Sequence, residues 1–488
     1  MPWQEKSHYK RDRGPTSAAA GVALQRESGM SMFTKFGRVL LACSALALGA
    51  CHRTQEHTLA NGLKVIVHRD TRAPVVVSQL WYKVGSVDEL SDETGISHAL
   101  EHMMFKGTKR YPAGRFARII AENGGTENAF TAQDYTVFYE EIEKSRLPIL
   151  FKLESDRMQN LLVPENQFRK EIRVVMEERR MRTDDNPDAI VDERFMRAAF
   201  KVNPYGVPVI GWMHNIRKLT AAKVRAWYHR WYAPNNAVLV VTGDVQPQRV
   251  FALAKKYFGP IPRRPIPRRT VPLEPPQHHE RVIVVRIPAE VPYLLMGYHV
   301  PVITPHGGMQ PYALDVLSGV LSGGPSARLQ ADLVRRQQVA ASVDTGYMDV
   351  SRYPQLFTIA AIPAKGHSLS EVEHAILGEI SRLKREPVSS AELRRVKAEI
   401  VAGDVYNRDS MFGQAMLLGM FETVGLHWQL VRRYVANLEA VTAKQVGEVA
   451  RKYFTRSNLT VAKLHPLPMR APGPKRPPVL APETIHVR

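Results

Sequence analysis

Apolar residues recur at strand spacing early in the chain. TLANGLKVIVHRD (58–70) and PVVVSQLWYKVGS (74–86) read as strands, with an Asn-Gly turn before the first. Helical spacing follows around 95–106, 113–123, 146–160, 165–183 and 220–232, and further strands are predicted near 126–140 and 237–243. Strands and helices do not alternate regularly, so the pattern predicts an α+β fold whose helices cover an antiparallel-rich sheet. It breaks at PIPRRPIPRRTVPLEPPQHH (260–279), where proline recurs too often for a helix or a central strand, which predicts an extended linker. A second α+β segment follows, then a Pro-rich tail. The expected organisation is an N-terminal extension and signal over 1–51, a first domain over 52–259, a linker over 260–280, a second domain over 281–466 and the tail over 467–488.

The two domains are related. TAAKVRAWYHRWYAPNNAVLVV from Thr220 matches TAKQVGEVARKYFTRSNLTVAK from Thr442 without a gap, so that Thr220 meets Thr442, Trp231 meets Tyr453 and Asn236 meets Asn458. Shared helix, loop and strand punctuation points to duplication. Length agrees: 488 residues exceed one ordinary core.

The net charge of +20 raises nucleic acid or a membrane surface as partners. Basic residues are scattered among acidic ones and no recognition motif accompanies them, so nucleic-acid binding is not expected. The N-terminal region accounts for both cysteines. From Met30 the chain reads MSMFTKFGRVLLACSALALGAC: Lys35 and Arg38 form a basic start, Val39 to Leu48 an apolar run too short to span a bilayer, and small residues lead to Cys51. LGAC (48–51) resembles the lipobox of bacterial lipoproteins. That resemblance implies cleavage before Cys51, lipid on its thiol and amino group, and export to the periplasm. With His52 next, anchoring to the outer membrane is expected, and the membrane is met through this lipid alone.

Candidate chemistry sits in GISHALEHMMFKGT (95–108). On a helix, residues four apart share a face, so His98 and His102 can aim at one point, with Glu101 beside them. A catalytic zinc site needs three protein ligands and an open position. FRKEIRVVMEERRMR (168–182) offers the distant third: Glu171, Val174, Val175 and Glu178 fall on one face at helical spacing. Buried carboxylates need cations or donors. These residues alone also fit satisfied core histidines and a partly exposed helix whose glutamates meet nearby arginines. The second domain has no counterpart of HALEH, so the two copies differ in their work.

HALEH followed far downstream by Glu178 resembles the inverted zinc motif of the pitrilysin/insulinase family of metallopeptidases, the inverzincins. ENGGTENAFTAQDYTVFYE, NPYGVPVIGWMHNIRKLT, WYAPNNAVLVVTGDV and SGGPSARL resemble family blocks in family order, covering about residues 55–466. The resemblance implies a two-domain clamshell of the kind formed by subunits of mitochondrial processing peptidase. It implies zinc on His98, His102 and Glu178, with Glu101 as general base and Glu171 orienting the site from behind. It further implies a substrate-binding edge strand at Asn128, Ala129, Phe130 and Thr131, and endopeptidic hydrolysis of unfolded peptides. One departure stands out. Where active members carry an Arg and a Tyr in the second domain, this chain has Val334 and Ala341. The implied remedy is a homologous partner subunit bearing both, or a homodimer; the other outcome is a non-catalytic peptide-binding or structural subunit of the same fold.

Overall fold

The structure, a computed structural model, describes residues 53–469; the lipobox, both cysteines and most of the Pro-rich tail lie outside the described residues. The first half contains β1 (Thr54–Thr58), β2 (Lys64–Arg69), β3 (Val75–Tyr82), α1 (Ile96–Met104), α2 (Arg115–Glu122), β4 (Thr126–Thr131), β5 (Thr136–Glu143), α3 (Leu147–Asn160), α4 (Glu165–Arg179), α5 (Pro187–Ala199), the short α6 (Met213–Ile216), α7 (Ala221–Trp231), β6 (Ala237–Gly243) and α8 (Pro247–Tyr257). The second half contains β7 (Arg281–Pro288), β8 (Tyr293–Val300), α9 (Gln310–Ser322), a π-helical segment (Gln330–Arg336), β9 (Ala340–Tyr347), β10 (Gln355–Pro363), α10 (Leu369–Arg385), α11 (Ser390–Asp409), α12 (Met411–Thr423), α13 (Val431–Ala440), α14 (Ala443–Tyr453) and β11 (Leu459–Leu467).

The sheets run β1-β2-β6-β3-β5-β4 and β7-β11-β8-β10-β9. Without β1 the two orders are the same, and each sheet holds one parallel pair, β2 with β6 and β7 with β11, among antiparallel neighbours. The repeat seen in the sequence is α7 to β6 laid over α14 to β11. Two local expectations change. The strand expected near 126–140 is a hairpin, and the polar TQEHT stretch before residue 59 is itself strand β1, because its backbone pairs with β2 although its side chains bury little.

Each sheet is covered on both faces. Helices of its own half pack one face, with Leu100, Phe151, Trp227 and Tyr228 in the first core. The other face is covered by a helix from the opposite half. α12 lies on β3 and β6, where Ala415 and Leu418 join Val77, Trp81 and Val240. In return α5 lies on β7, β8 and β11, where Val191 and Phe195 join Val285 and Leu295. This explains why β3 and β6 are almost wholly apolar: neither face meets water. Glycines set the closeness. A Cβ at Gly419 on α12 would collide with the Trp81 indole, and one at Gly297 on β8 would come within 2.5 Å of the Phe195 ring.

The linker forms no helix or strand over 262–280 and is pinned along its length. Glu274 accepts from the backbone of Lys201, Val202 and Asn203, Arg269 reaches Asp88, and buried Gln277 bonds the Leu459 carbonyl.

Candidate metal centre

The site begins at the N-terminus of α1. Gly95 takes a left-handed conformation (φ 88°), and an added Cβ there would collide with the Ile210 carbonyl oxygen, so only glycine fits. Glu89 caps the helix, its carboxylate accepting from Gly95 N at 2.7 Å and Ser97 N at 2.8 Å. Ile96, Leu100 and Met103 anchor α1 in the core, which turns His98, Glu101 and His102 towards α4 and β4.

α4 presents Glu171 and Glu178, two turns apart, on the same side as buried Val175. Val174, expected on that stripe, is 51% exposed: the contact is narrower than helical spacing suggested. Glu177 faces out and pairs with Arg180.

The structure brings His98, His102 and Glu178 together, one ligand atom from each lying within 4.8 Å of the others. Glu178 Oε2 is 3.7 Å from His98 Nε2 and 3.3 Å from His102 Nε2. The edge of a tetrahedron with bonds near 2 Å is about 3.3 Å, so the donor set fits zinc with little adjustment. His102 Nδ1 donates to Glu171 Oε1 at 3.0 Å, which leaves its Nε2 facing the shared point, where a metal would take the place of a proton. Lys106 Nζ holds the other Glu171 oxygen at 2.6 Å, and Arg182 holds the other Glu178 oxygen at 2.9 Å.

The charge balance favours a cation. Burial opposes a charge on His102, yet the hydrogen bonds with Glu171 and Glu178 carry it up to about 9. His98, buried and beside His102, is pushed down to about 4. The hydrogen bond with His102 pulls the Glu178 carboxyl down; Glu171 is held down by His102 and Lys106 against its burial. Burial pushes Glu101 up, opposed by a hydrogen bond at 2.5 Å that the Thr131 hydroxyl donates to its Oε2.

Thr131 belongs to β4, the edge of the six-stranded sheet, so the Asn128–Thr131 stretch borders Glu101 with one side unpaired. Asn128 is exposed; Ala129, Phe130 and Thr131 are half-buried. Next to the turn that follows, a cavity of about 200 Å³ is lined by Gln133, Asp192, Met196, Tyr205 and Val209. Spacing alone could have found Lys106 and Arg182, each one turn beyond a ligand; nothing local signalled Glu89 or the Thr131 bond to Glu101. Val334 is half-buried in the π-helical segment and Ala341 is exposed at the start of β9. Neighbouring Arg336 is tied to Asp332.

Duplicated sheets and a single His, His, Glu donor set among the described residues define the class: a chain of two related halves, one of which carries a set of side chains that could hold a metal. Residues 64–211 match the family model described as Insulinase (Peptidase family M16), and residues 218–400 match Peptidase M16 inactive domain. Zinc protease PqqE of Helicobacter pylori is 30% identical over 432 residues, 88% of this chain and 96% of that protein. Uncharacterized zinc protease YmxG of Bacillus subtilis is 26% identical, over 82% of this chain and 96% of that one. Among solved structures, a protease from Helicobacter pylori superposes with a TM-score of 0.80 at 30% identity, covering 85% of this chain and 99% of that one. The first half of the periplasmic protease PqqL from Escherichia coli shares the fold, with a TM-score of 0.70 at 19% identity over 85% of this chain and 92% of that one. The chain belongs to the M16 (insulinase) family of peptidases.

Proposed function

We propose that the chain is a zinc-dependent endopeptidase acting on unfolded peptides or small proteins. One observation carries the reading: His98, His102 and Glu178 converge while Glu101 stands beside them without belonging to the ligand set. His98, His102 and Glu178 would hold a zinc ion, which would supply a water of lowered pKa and polarise the scissile carbonyl. Glu101 takes the proton of the attacking water and delivers it to the leaving amine, its carboxylate held by Thr131. A substrate peptide adds to the open edge of β4, gaining main-chain hydrogen bonds, and so must be extended where it is cut. The cavity beyond Gln133 accommodates one of its side chains.

Val334 and Ala341 leave the second half without the cation and hydroxyl that would hold the substrate and its oxyanion, a loss worth roughly 10²–10³ in rate. The working enzyme is therefore a pair with a homologous subunit that supplies them. The same two residues favour a second reading, a non-catalytic peptide-binding or structural subunit. The lipobox supports export with lipid on Cys51. Among the described residues no helix is long and apolar enough to cross a membrane.

The test is zinc content together with digestion of unstructured peptides, with and without chelator, by the chain alone and with its homologue. Bound zinc and chelator-sensitive cleavage that rises with the partner are expected. A chain that binds peptides but never cleaves them is the second reading; one that binds no zinc overturns the first.

A further inference from the structure

The face where the described chain begins carries chemistry that peptide hydrolysis does not use. Arg53 lies two residues after Cys51, and β1 starts at Thr54. Arg69 N donates to Arg53 O at 2.6 Å, and Thr54 Oγ1 lies 2.7 Å from His68 Nδ1, so the start of β1 is fastened to the end of β2. The C-terminal end of α11 arrives at the same place: Arg72, just past β2, bonds the Asp409 carbonyl at 2.6 Å and pairs with its carboxylate.

One turn before Asp409 on the same helix face stand Val405 and Tyr406, 59% and 77% exposed. Tyr406 is the most exposed large hydrophobic side chain among the described residues. Arginines gather where that helix ends beside His68. Burial lowers the pKa of His68, and Arg53, Arg432 and Arg408 lie near enough to add to the effect against Asp70. Asp70, Asp404 and Asp409 are each taken up by Arg72 or Arg408. Arg53, Arg69 and Arg432 are exposed and have no carboxylate within 4.0 Å among the described residues.

We propose that this face, formed by the start of β1, the end of β2 and the last turns of α11, docks on an anionic lipid bilayer. Tyr406 and Val405 enter the headgroup boundary, while Arg53, Arg69 and Arg432 meet lipid phosphates. An exposed aromatic on the same face as guanidiniums without carboxylate partners, Arg432 lying over the Trp428 ring at 5.0 Å, suits that boundary, where amphipathic rings and basic side chains concentrate. Chain length selects the bilayer over other occupants: three residues from Cys51 to Thr54 span at most about 11 Å, so a lipid on Cys51 leaves this face against the membrane. The orientation rests on the lipoprotein reading of Cys51; the affinity of the face does not, and it is measured without the lipid.

The experiment uses the mature chain from position 51 with Cys51→Ala, mixed with vesicles of phosphatidylethanolamine and phosphatidylglycerol or of phosphatidylcholine alone. The body contains no other cysteine, so Tyr406→Cys gives one thiol for an environment-sensitive dye. Expected are co-sedimentation with the anionic vesicles at low salt, a blue shift of the dye on binding, and affinity lower by about tenfold or more in Arg53→Glu/Arg69→Glu/Arg432→Glu. Zinc content reports whether that variant is folded; if it is not, the salt dependence of the unchanged protein decides, with binding expected to fall as salt rises. No binding to anionic vesicles, binding indifferent to salt and charge reversal, or a dye shift that follows protein concentration without vesicles overturns the proposal, the last pointing to a second copy instead. Failure of lipid labelling at Cys51 overturns only the orientation.

Discussion

Arg352 Nη1 of the second half lies 3.0 Å from Asp88 Oδ1 of the first. The same arginine donates its backbone N–H to Asp134 Oδ2 at 2.9 Å, and the Tyr205 hydroxyl donates to the Asp134 carboxylate at 2.8 Å. Asp88 immediately precedes Glu89, the cap of α1, and Asp134 sits in the turn that follows β4. The second half thus grips both loops that present the candidate site. Asp88 keeps Arg269 and Asp134 keeps the Tyr205 hydroxyl, so Arg352→Gln removes contacts without stranding either carboxylate and is expected to cost about 1–3 kcal/mol of stability, read by urea unfolding. Peptidase kinetics add a readout that stability does not: KM is expected to rise several-fold more than kcat falls, with zinc content unchanged.

Glu101→Gln keeps the shape of the side chain and its bond with Thr131 but removes the base. Turnover is expected to fall by about 10²–10⁴ while zinc content stays at the wild-type level. Cleavage at the wild-type rate would exclude Glu101 from the chemistry.

Glu171 touches the site only through His102 and Lys106. Glu171→Gln is expected to weaken zinc binding by about 10–100-fold, measured by competition with a chelator, because His102 loses the partner that fixes its tautomer. Unchanged affinity would show that the ring is held by packing alone.

Gly419 and Gly297 set the depth to which each half's helix enters the other's sheet. Gly419→Ala drives a methyl into Trp81 and is expected to destabilise the protein by about 1–3 kcal/mol. Gly378, with nothing within 4 Å of an added Cβ, is the control: Gly378→Ala is expected to leave the unfolding midpoint unchanged or raise it.

Burial pushes Glu127 on β4 up to about 7, against the pull of Arg157 and with help from Glu154. The folded chain therefore keeps a proton there that the unfolded chain releases near about 4.3. The stability this contributes is complete below about 4.3 and is lost as pH rises through about 7. Glu127→Gln removes the slope, so the variant's stability relative to wild type is expected to rise by up to about 4 kcal/mol between those limits, measured by urea unfolding across pH.

Much of the fold was legible because it is written in short periods. The spacing of His98 and His102 follows from the helical repeat, as does the alignment of Glu171 with Glu178 on one side of α4. Thr220 to Val241 and Thr442 to Lys463 show the duplication openly, since each unit carries its own helix cap, loop and strand pattern. Strand β1 was illegible for the opposite reason: TQEHT has no apolar alternation, and only pairing with β2 makes it a strand. Val174 misled because spacing defines a face but not how wide a neighbour covers it.

The sequence by itself determined where most helices and strands form, that the chain is a doubled unit, and that one copy carries ligand types at a spacing suited to a metal. These are consequences of local backbone geometry, which repeats every few residues. Tertiary structure alone decided that Glu178 reaches both imidazoles, that Thr131 holds Glu101, that α5 and α12 are exchanged between halves and that Arg352 secures the loops at the site. Those contacts join residues tens to hundreds of positions apart, and close packing rather than periodicity selects them.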